Sequence, residues 1–384
     1  MTDDQIPGHS EENEAPGISR AEIRNARADS KRNTRLIVAG VGAVIVVALT
    51  AVGVFLFSSG EEKPAPTTTT TTSTTTSTTT TIPAEPTAVM ALTGMPVNAE
   101  DPDVAAKLMT PALTVKIDNA PEAHPQVGIQ DADVVVEVMV EGISRYIAVF
   151  QSHVPDEVGP VRSARTSDPD ILAMFGKPVF AWSGGNKNVM KVINNTEWIV
   201  NASHDKRQGD YFRERTRKAP HNLIIRAQNL LAATASSGIP PQQLFTYRPL
   251  GEESPGAPVG GFDVSIGKAV SSFRWDPETS KWVKLTNGEP QSAANGSPIA
   301  ATNVVVAQTE YRQSPADRRS PEAETIGEGA AWVFTGGKMI LGRWSRASRE
   351  APWSLVDEAG TPVALTPGNT WVLLPAPPQA PRTF

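Results

Sequence analysis

The sequence predicts an α+β fold, a mixed α/β first domain followed by a mainly β second domain, preceded by one transmembrane helix. Three observations predict it. Leu36–Phe57 (LIVAGVGAVIVVALTAVGVFLF) carries no charge. Between Leu113 and Ser236, β-branched runs are interspersed with helix-like stretches. From Ser272 onward, short strand-like runs are separated by tight-turn signals. Strands interspersed with helices indicate a mixed domain, and short strands with turns indicate a β domain.

Taken in order, residues 1–35 are polar, charged and poor in apolar side chains, which predicts a disordered cytoplasmic tail. The segment 36–57 would span about 33 Å as a helix, close to the roughly 30 Å of a bilayer core. It has no polar stripe and is longer than the apolar region of a cleaved signal peptide. Arg20, Arg24, Arg27, Lys31, Arg32 and Arg35 precede it, and Glu61 and Glu62 follow it. The positive-inside rule therefore places the N-terminus in the cytoplasm and the C-terminal domains outside, a single-pass plasma-membrane topology. Residues 58–90 form the expected stalk. Within it Thr67–Thr81 is all Thr and Ser, flanked by Pro64, Pro66, Pro83 and Pro86. Such a tract has nothing to bury, and the sequence reads equally as a glycosylated stalk or a plain spacer.

The first folded domain is expected over 91–245. Leu113–Ile117, Asp133–Val140 and Arg145–Gln151 read as strands, the last two as a hairpin around Gly142. Val179–Trp182 and Trp198–Asn201 are further strand-like runs, and Asn186–Asn194 and Asn222–Ser236 read as helices. Pro240–Gly261 is rich in Pro and Gly and marks a boundary. The second domain, 260–384, is expected to hold a hairpin turning at Asp276–Ser280, then Asn303–Ala307, Ala330–Phe334, Met339–Arg343, Trp353–Val356, Pro362–Leu365 and Thr370–Leu374.

The composition limits the chemistry. The formal net charge is −6, which gives a nucleic-acid partner no support. There is no cysteine, so thiol catalysis, disulfides and thiolate metal sites are excluded. There is no HExxH motif and no tight histidine pair, so neither a metal nor a cofactor is expected. No serine sits in a G-x-S-x-G elbow.

The candidate site residues interrupt apolar stretches or sit in Gly-rich turns. Glu137 lies among valines and, with Met139 and Glu141, would share one strand face. A buried carboxylate needs a partner, and Arg145, Arg162 and Arg165 are the candidates. These charges read either as a structural ion-pair network or as a cleft with carboxylates on one wall and arginines on the other. Arg162 and Arg165, with a hydroxyl between them, suit a carboxylate or phosphate. Ser183, Gly184 and Gly185 precede a helix and read either as a plain turn with Asn186 or Ser183 as cap or as an anion nest. His204 follows a strand, and His221 closes the basic run RERTRKAPH in what reads as a helix cap region.

The stretches HPQVGIQDADVVVEVMVEGISRYIAVFQ, EVGPVRSAR, SGGN and RKAPHNL resemble the first domain of the YerB-like family. WDPETSKWVKL, ATNVVVAQ, WVFTGGK and PGNTWVLLP resemble its second domain. The resemblance covers about 92–374. It implies a bacterial envelope protein of two domains and unknown function, of a kind that is often a lipoprotein. This chain departs from that pattern, since it has no cysteine to lipidate. Two functions stay open. One is a tethered binding or scaffold module with a cleft for an anionic ligand, its partners the membrane and a cell-wall or envelope polymer. The other is an enzyme acting on such a polymer, with Glu137 or Glu141 as acid or base and His204 or His221 assisting.

Overall fold

The computed structural model describes residues 85–384. The predicted tail, the apolar segment 36–57 and most of the stalk lie outside the described residues. Among the described residues no helix is long and apolar enough to cross a membrane.

An eleven-stranded sheet organises the molecule. Its main strands, with two smaller sheets, run in chain order as β1 (Leu113–Ile117), β2 (Val134–Met139), β3 (Ser144–Phe150), β4 (Val179–Ala181), β5 (Val200–Asn201), β6 (Tyr211–Arg213), β7 (Leu223–Arg226), β8 (Gly261–Ile266), β9 (Ala269–Asp276), β10 (Lys281–Thr286), β11 (Asn303–Ala307), β12 (Gly327–Thr335), β13 (Lys338–Arg346), β14 (Ser354–Asp357) and β15 (Thr370–Leu374). The large sheet runs β13, β12, β11, β15, β2, β3, β1, β4, β5, with β14 and Ala257–Pro258 on β13. Strands from both sides of 240–261 therefore share it. β15 lies between β11 and β2 and is parallel to both, with Thr370 opposite Asn303 and Val134.

Most central strands are buried on both faces, so they read as nearly continuous apolar runs. Alternate side chains feed two cores. Val115, Val135, Tyr146, Val304 and Trp371 point to one face, where the meander β8–β9–β10 covers them with Phe262, Phe273 and Trp282. Trp371 meets Tyr146 at 5.2 Å and Phe273 at 5.6 Å, edge to face, which ties the two sheets together. Val136, Ile147, Val305 and Val372 point to the other face. That face is covered by α2 (Asp168–Leu172) and α3 (Lys187–Asn194), which follow α1 (Pro102–Leu108) in the chain.

Three expectations need correction. The helix predicted over Asn222–Ser236 divides into strand β7 and helix α4 (Ala227–Thr234). Leu223, Ile224 and Ile225 are all buried, and β7 pairs with β6 and with Glu157–Val158. A short apolar run buried all round shows no period by which helix and strand differ. Pro362–Leu365 is not a strand and meets its neighbours only through isolated bridges at Pro362 and Leu365. Glu141 does not continue the face of Glu137 and Met139, because β2 ends at Met139.

Candidate functional site

Strand direction gathers most of the candidate residues at one edge. β11, β15 and β2 are mutually parallel, β3 opposes β2 and β1, and β1, β4 and β5 are parallel. Six strands therefore point the same way, and their carboxyl ends share one edge of the sheet. Crevices outside such ends are the usual ligand sites of open α/β sheets. Glu141 follows β2, Arg145 sits at the start of the opposed β3, and Ser183 and His204 follow β4 and β5. The loop carrying Arg162 is stitched into the same row. Arg162 N donates to Lys116 O at 2.8 Å, Ser183 N to Arg162 O at 3.0 Å, and His204 N to Trp182 O at 2.9 Å.

The charges of this edge form a network with more donors than it uses. Lys116 Nζ lies 2.7 Å from Asp168 Oδ1, both fully buried. Burial lowers the Lys116 pKa and Asp168 opposes the shift. Arg165 Nη2 contacts Glu141 at 3.0 Å, and Arg145 Nη1 donates to Ser163 O at 3.1 Å. Burial, with Arg165 and Arg162 nearby, pushes the Arg145 pKa down to about 10. The Nε atoms of Arg145, Arg162 and Arg165 are buried without a hydrogen-bond partner. Arg162 Nε is 3.0 Å from Asp118 Oδ2 but is not aligned to donate to it. Among the buried charges, Lys116, Arg145 and Arg165 face Asp118 and Asp168, an excess of one positive charge. Buried, unused donors with excess positive charge suit an anion.

The Gly-rich turn takes the capping arrangement. Asn186 Oδ1 accepts from Val189 N at 2.9 Å and caps α3. Gly184 and Gly185 have φ of +82° and +155°, conformations that side chains disfavour. His204 is half-exposed, 3.7 Å from Asp205, with its ring edge-on to Tyr211. His221 does not cap a helix, because β7 follows it. Its Nδ1 lies 2.7 Å from Asp118 Oδ2 instead.

Glu137 is not part of the arginine cluster. Its side chain points to the meander, where Ser144 Oγ donates to Oε1 at 2.6 Å and Ser271 Oγ to Oε2 at 2.8 Å. The counter-charge is Lys284 of β10, whose Nζ is 3.6 Å from Oε2 and donates to Ser271 Oγ at 2.6 Å. Asn119 Nδ2 donates to Ser144 Oγ at 2.8 Å, and His124 Nε2 bonds Asn119 Oδ1 at 2.9 Å. Burial lowers the pKa of Lys284, opposed by Glu137, and also that of His124. Asn119, His124, Glu137, Tyr146, Lys284 and Gln291 line a cleft of about 500 Å³. The expected two-walled cleft thus separates into an arginine edge and a lysine–glutamate cleft on the opposite face.

Sequence reasoning missed Asp118, Lys116, Asp168 and Lys284. Asp118 had a signal, since it ends a strand in Asp118-Asn119-Ala120-Pro121 and is a carboxylate beside a turn. Lys116 stood within the predicted strand Leu113–Ile117 with no local mark of a buried partner. Lys284 carried no local mark of its partner, which lies far away in the sequence.

Comparison with known proteins gives concordant results. The N-terminal domain of the family described as "Protein of unknown function (DUF3048)" matches residues 92–240, and its C-terminal domain matches 262–372. A protein of Bacillus subtilis (strain 168) described as "Putative lipoprotein YerB" is 25% identical over 296 residues, covering 71% of this chain and 87% of that protein. The crystal structure of YerB from Bacillus subtilis is similar with a TM-score of 0.63 at 21% identity, covering 75% of this chain and 96% of that one.

Proposed function

This chain belongs to the DUF3048 family, and on that premise we propose that it is an envelope-associated binding module whose arginine edge holds an anionic ligand outside the cytoplasm. One observation carries the reading: the buried Arg145 and Arg165 and the partly exposed Arg162 lie close together, each with a buried Nε that makes no hydrogen bond, at the carboxyl ends of strands that run in one direction. Burying unpaired donors is costly, and an anion would satisfy them. The location draws on the likeness to a protein described as a lipoprotein and on the apolar segment 36–57, which would tether this cysteine-free chain by a helix. The Thr/Ser tract would then act as a spacer of on the order of 100 Å if extended.

The test is binding of purified cell-wall fragments and of inorganic phosphate to the full chain in mild detergent. Arg162→Ala with Arg165→Ala should weaken anion binding at least about tenfold, the loss of one or more charge-assisted bonds. Unchanged affinity in that double variant would remove the arginine edge from the site.

A further inference from the structure

Asp118 and His221 form a pair for which a purely electrostatic anion site has no use. We propose that His221 is a general base of the arginine edge, positioned by Asp118, and that the site hydrolyses phosphodiesters. The proposal rests on the anionic-ligand reading above and names its substrate class.

Asp118 is fully buried directly after β1. Its Oδ1 accepts from Ala120 N at 3.2 Å, and its Oδ2 accepts from His221 Nδ1 at 2.7 Å with Arg162 Nε at 3.0 Å. A carboxylate held in this way fixes one imidazole tautomer. The proton stays on Nδ1 and the lone pair on Nε2. Nε2 makes no hydrogen bond among the described residues, and the His221 side chain is 19% exposed. A histidine serving only structure would be expected to engage both ring nitrogens or to be sealed off. The same Asp118 oxygen ties this base to Arg162, and therefore to the loop against which the Arg145 guanidinium rests through Ser163 O.

The ligand class follows from the donors. The guanidinium groups of Arg145, Arg162 and Arg165 lie near one another, and three such groups suit a tetrahedral anion with several oxygens better than a planar carboxylate with two. A phosphodiester carries one negative charge, equal to the excess positive charge of the buried groups. In the step itself, a water oxygen forms a bond to phosphorus while its proton passes to His221 Nε2. The bond from phosphorus to the leaving oxygen breaks, and that oxygen departs with the electron pair and receives the proton back from the imidazolium. The products are a phosphomonoester and an alcohol, and the arginines hold the charge that builds on the non-bridging oxygens. The charged groups around His221 are Asp118 and Arg162 from the sheet edge, and Glu214, Arg217 and Lys218 from its own loop.

The experiment uses the full chain with two probes. Bis(p-nitrophenyl) phosphate reports hydrolysis through release of p-nitrophenolate, and dimethyl phosphate reports binding by calorimetry. Wild type should turn over the first probe at a rate that falls in acid, as a general base requires. His221→Gln should lower the rate about a hundredfold or more while leaving dimethyl phosphate affinity unchanged. Asp118→Asn should lower the rate and change its pH profile while leaving dimethyl phosphate affinity in place, a split that a carboxylate serving only stability would not produce. Dimethyl phosphate binding without hydrolysis, a flat wild-type profile, or equal rates in wild type and His221→Gln would overturn the general-base assignment and leave the anion site standing. Absence of dimethyl phosphate binding would overturn the phosphodiester assignment, and absence of binding to inorganic phosphate and wall fragments as well would overturn the anion site.

Discussion

At the scale of single residues, the edge is held by ion pairs whose value is conditional. Lys116 and Asp168 are both fully buried at 2.7 Å. A pair of this kind adds little over an apolar pair, but removing one member strands the other charge. Lys116→Met should therefore lower stability by about 3–5 kcal/mol. Combining it with Asp168→Leu should recover part of that loss in a urea titration. The recovery has a limit, because Asp168 Oδ2 also accepts from Arg165 N at 2.7 Å. His124 supplies a pH test. Burial lowers its pKa below the ordinary value of 6.5, with Lys284 adding to the shift. The unfolded chain then binds the proton more readily, so stability falls as pH drops below about 6.5. His124→Gln should flatten that part of the curve of melting temperature against pH, and an unchanged slope would show that the ring titrates alike in both states.

At the scale of elements, turns carry demands that show in the sequence, whereas partners do not. Gly336 and Gly337 join β12 to β13 with φ of +58° and +73°. A Cβ on Gly337 would come within 2.8 Å of the Trp275 ring. Gly337→Ala should cost about 1–3 kcal/mol, seen as a lower urea midpoint at unchanged slope. The WVFTGGK turn was legible because left-handed backbone selects glycine. β2, β3, β11 and β15 were legible because β-branched runs fit a pleated, buried surface. β7 was not, because Leu223–Ile225 is apolar without a period and its partners β6 and Glu157–Val158 lie elsewhere in the chain. The same physics governs the candidate site. Arg162, Arg165, Ser183 and His204 were legible as residue types in turns. Their common edge depended on six strands sharing a direction. Glu137 was expected to meet arginines but points to the meander, because register with β3 puts it opposite Tyr146 on the covered face.

At the scale of the whole molecule, the order in which the chain uses its strands couples the two halves that the family match separates. β15 comes near the end of the chain yet sits between β11 and β2, with all five of its residues buried. The run Thr370–Leu374 is apolar nearly throughout, as a strand buried on both faces is, but nothing in it identifies β11 and β2 as its neighbours. The consequence for stability is specific. A chain ending at Asn369 would leave β11 and β2 with facing rows of unpaired backbone groups, and β2 is a valine-rich strand suited to pairing with other copies. It would also lose Trp371, which joins Tyr146 and Phe273 across the two sheets. A chain ending at Leu374 keeps that seam and loses only the final segment, whose Arg382–Thr383 strand lies exposed at the edge of the meander. Among full-length and truncated chains followed by circular dichroism, full length and the Leu374 form should each melt in one cooperative step. The Asn369 form should lose that step and aggregate. A cooperative melt of the Asn369 form near the full-length temperature would mean that the halves on either side of 240–261 stand without the shared strand, and that the edge holding the arginines does not depend on it.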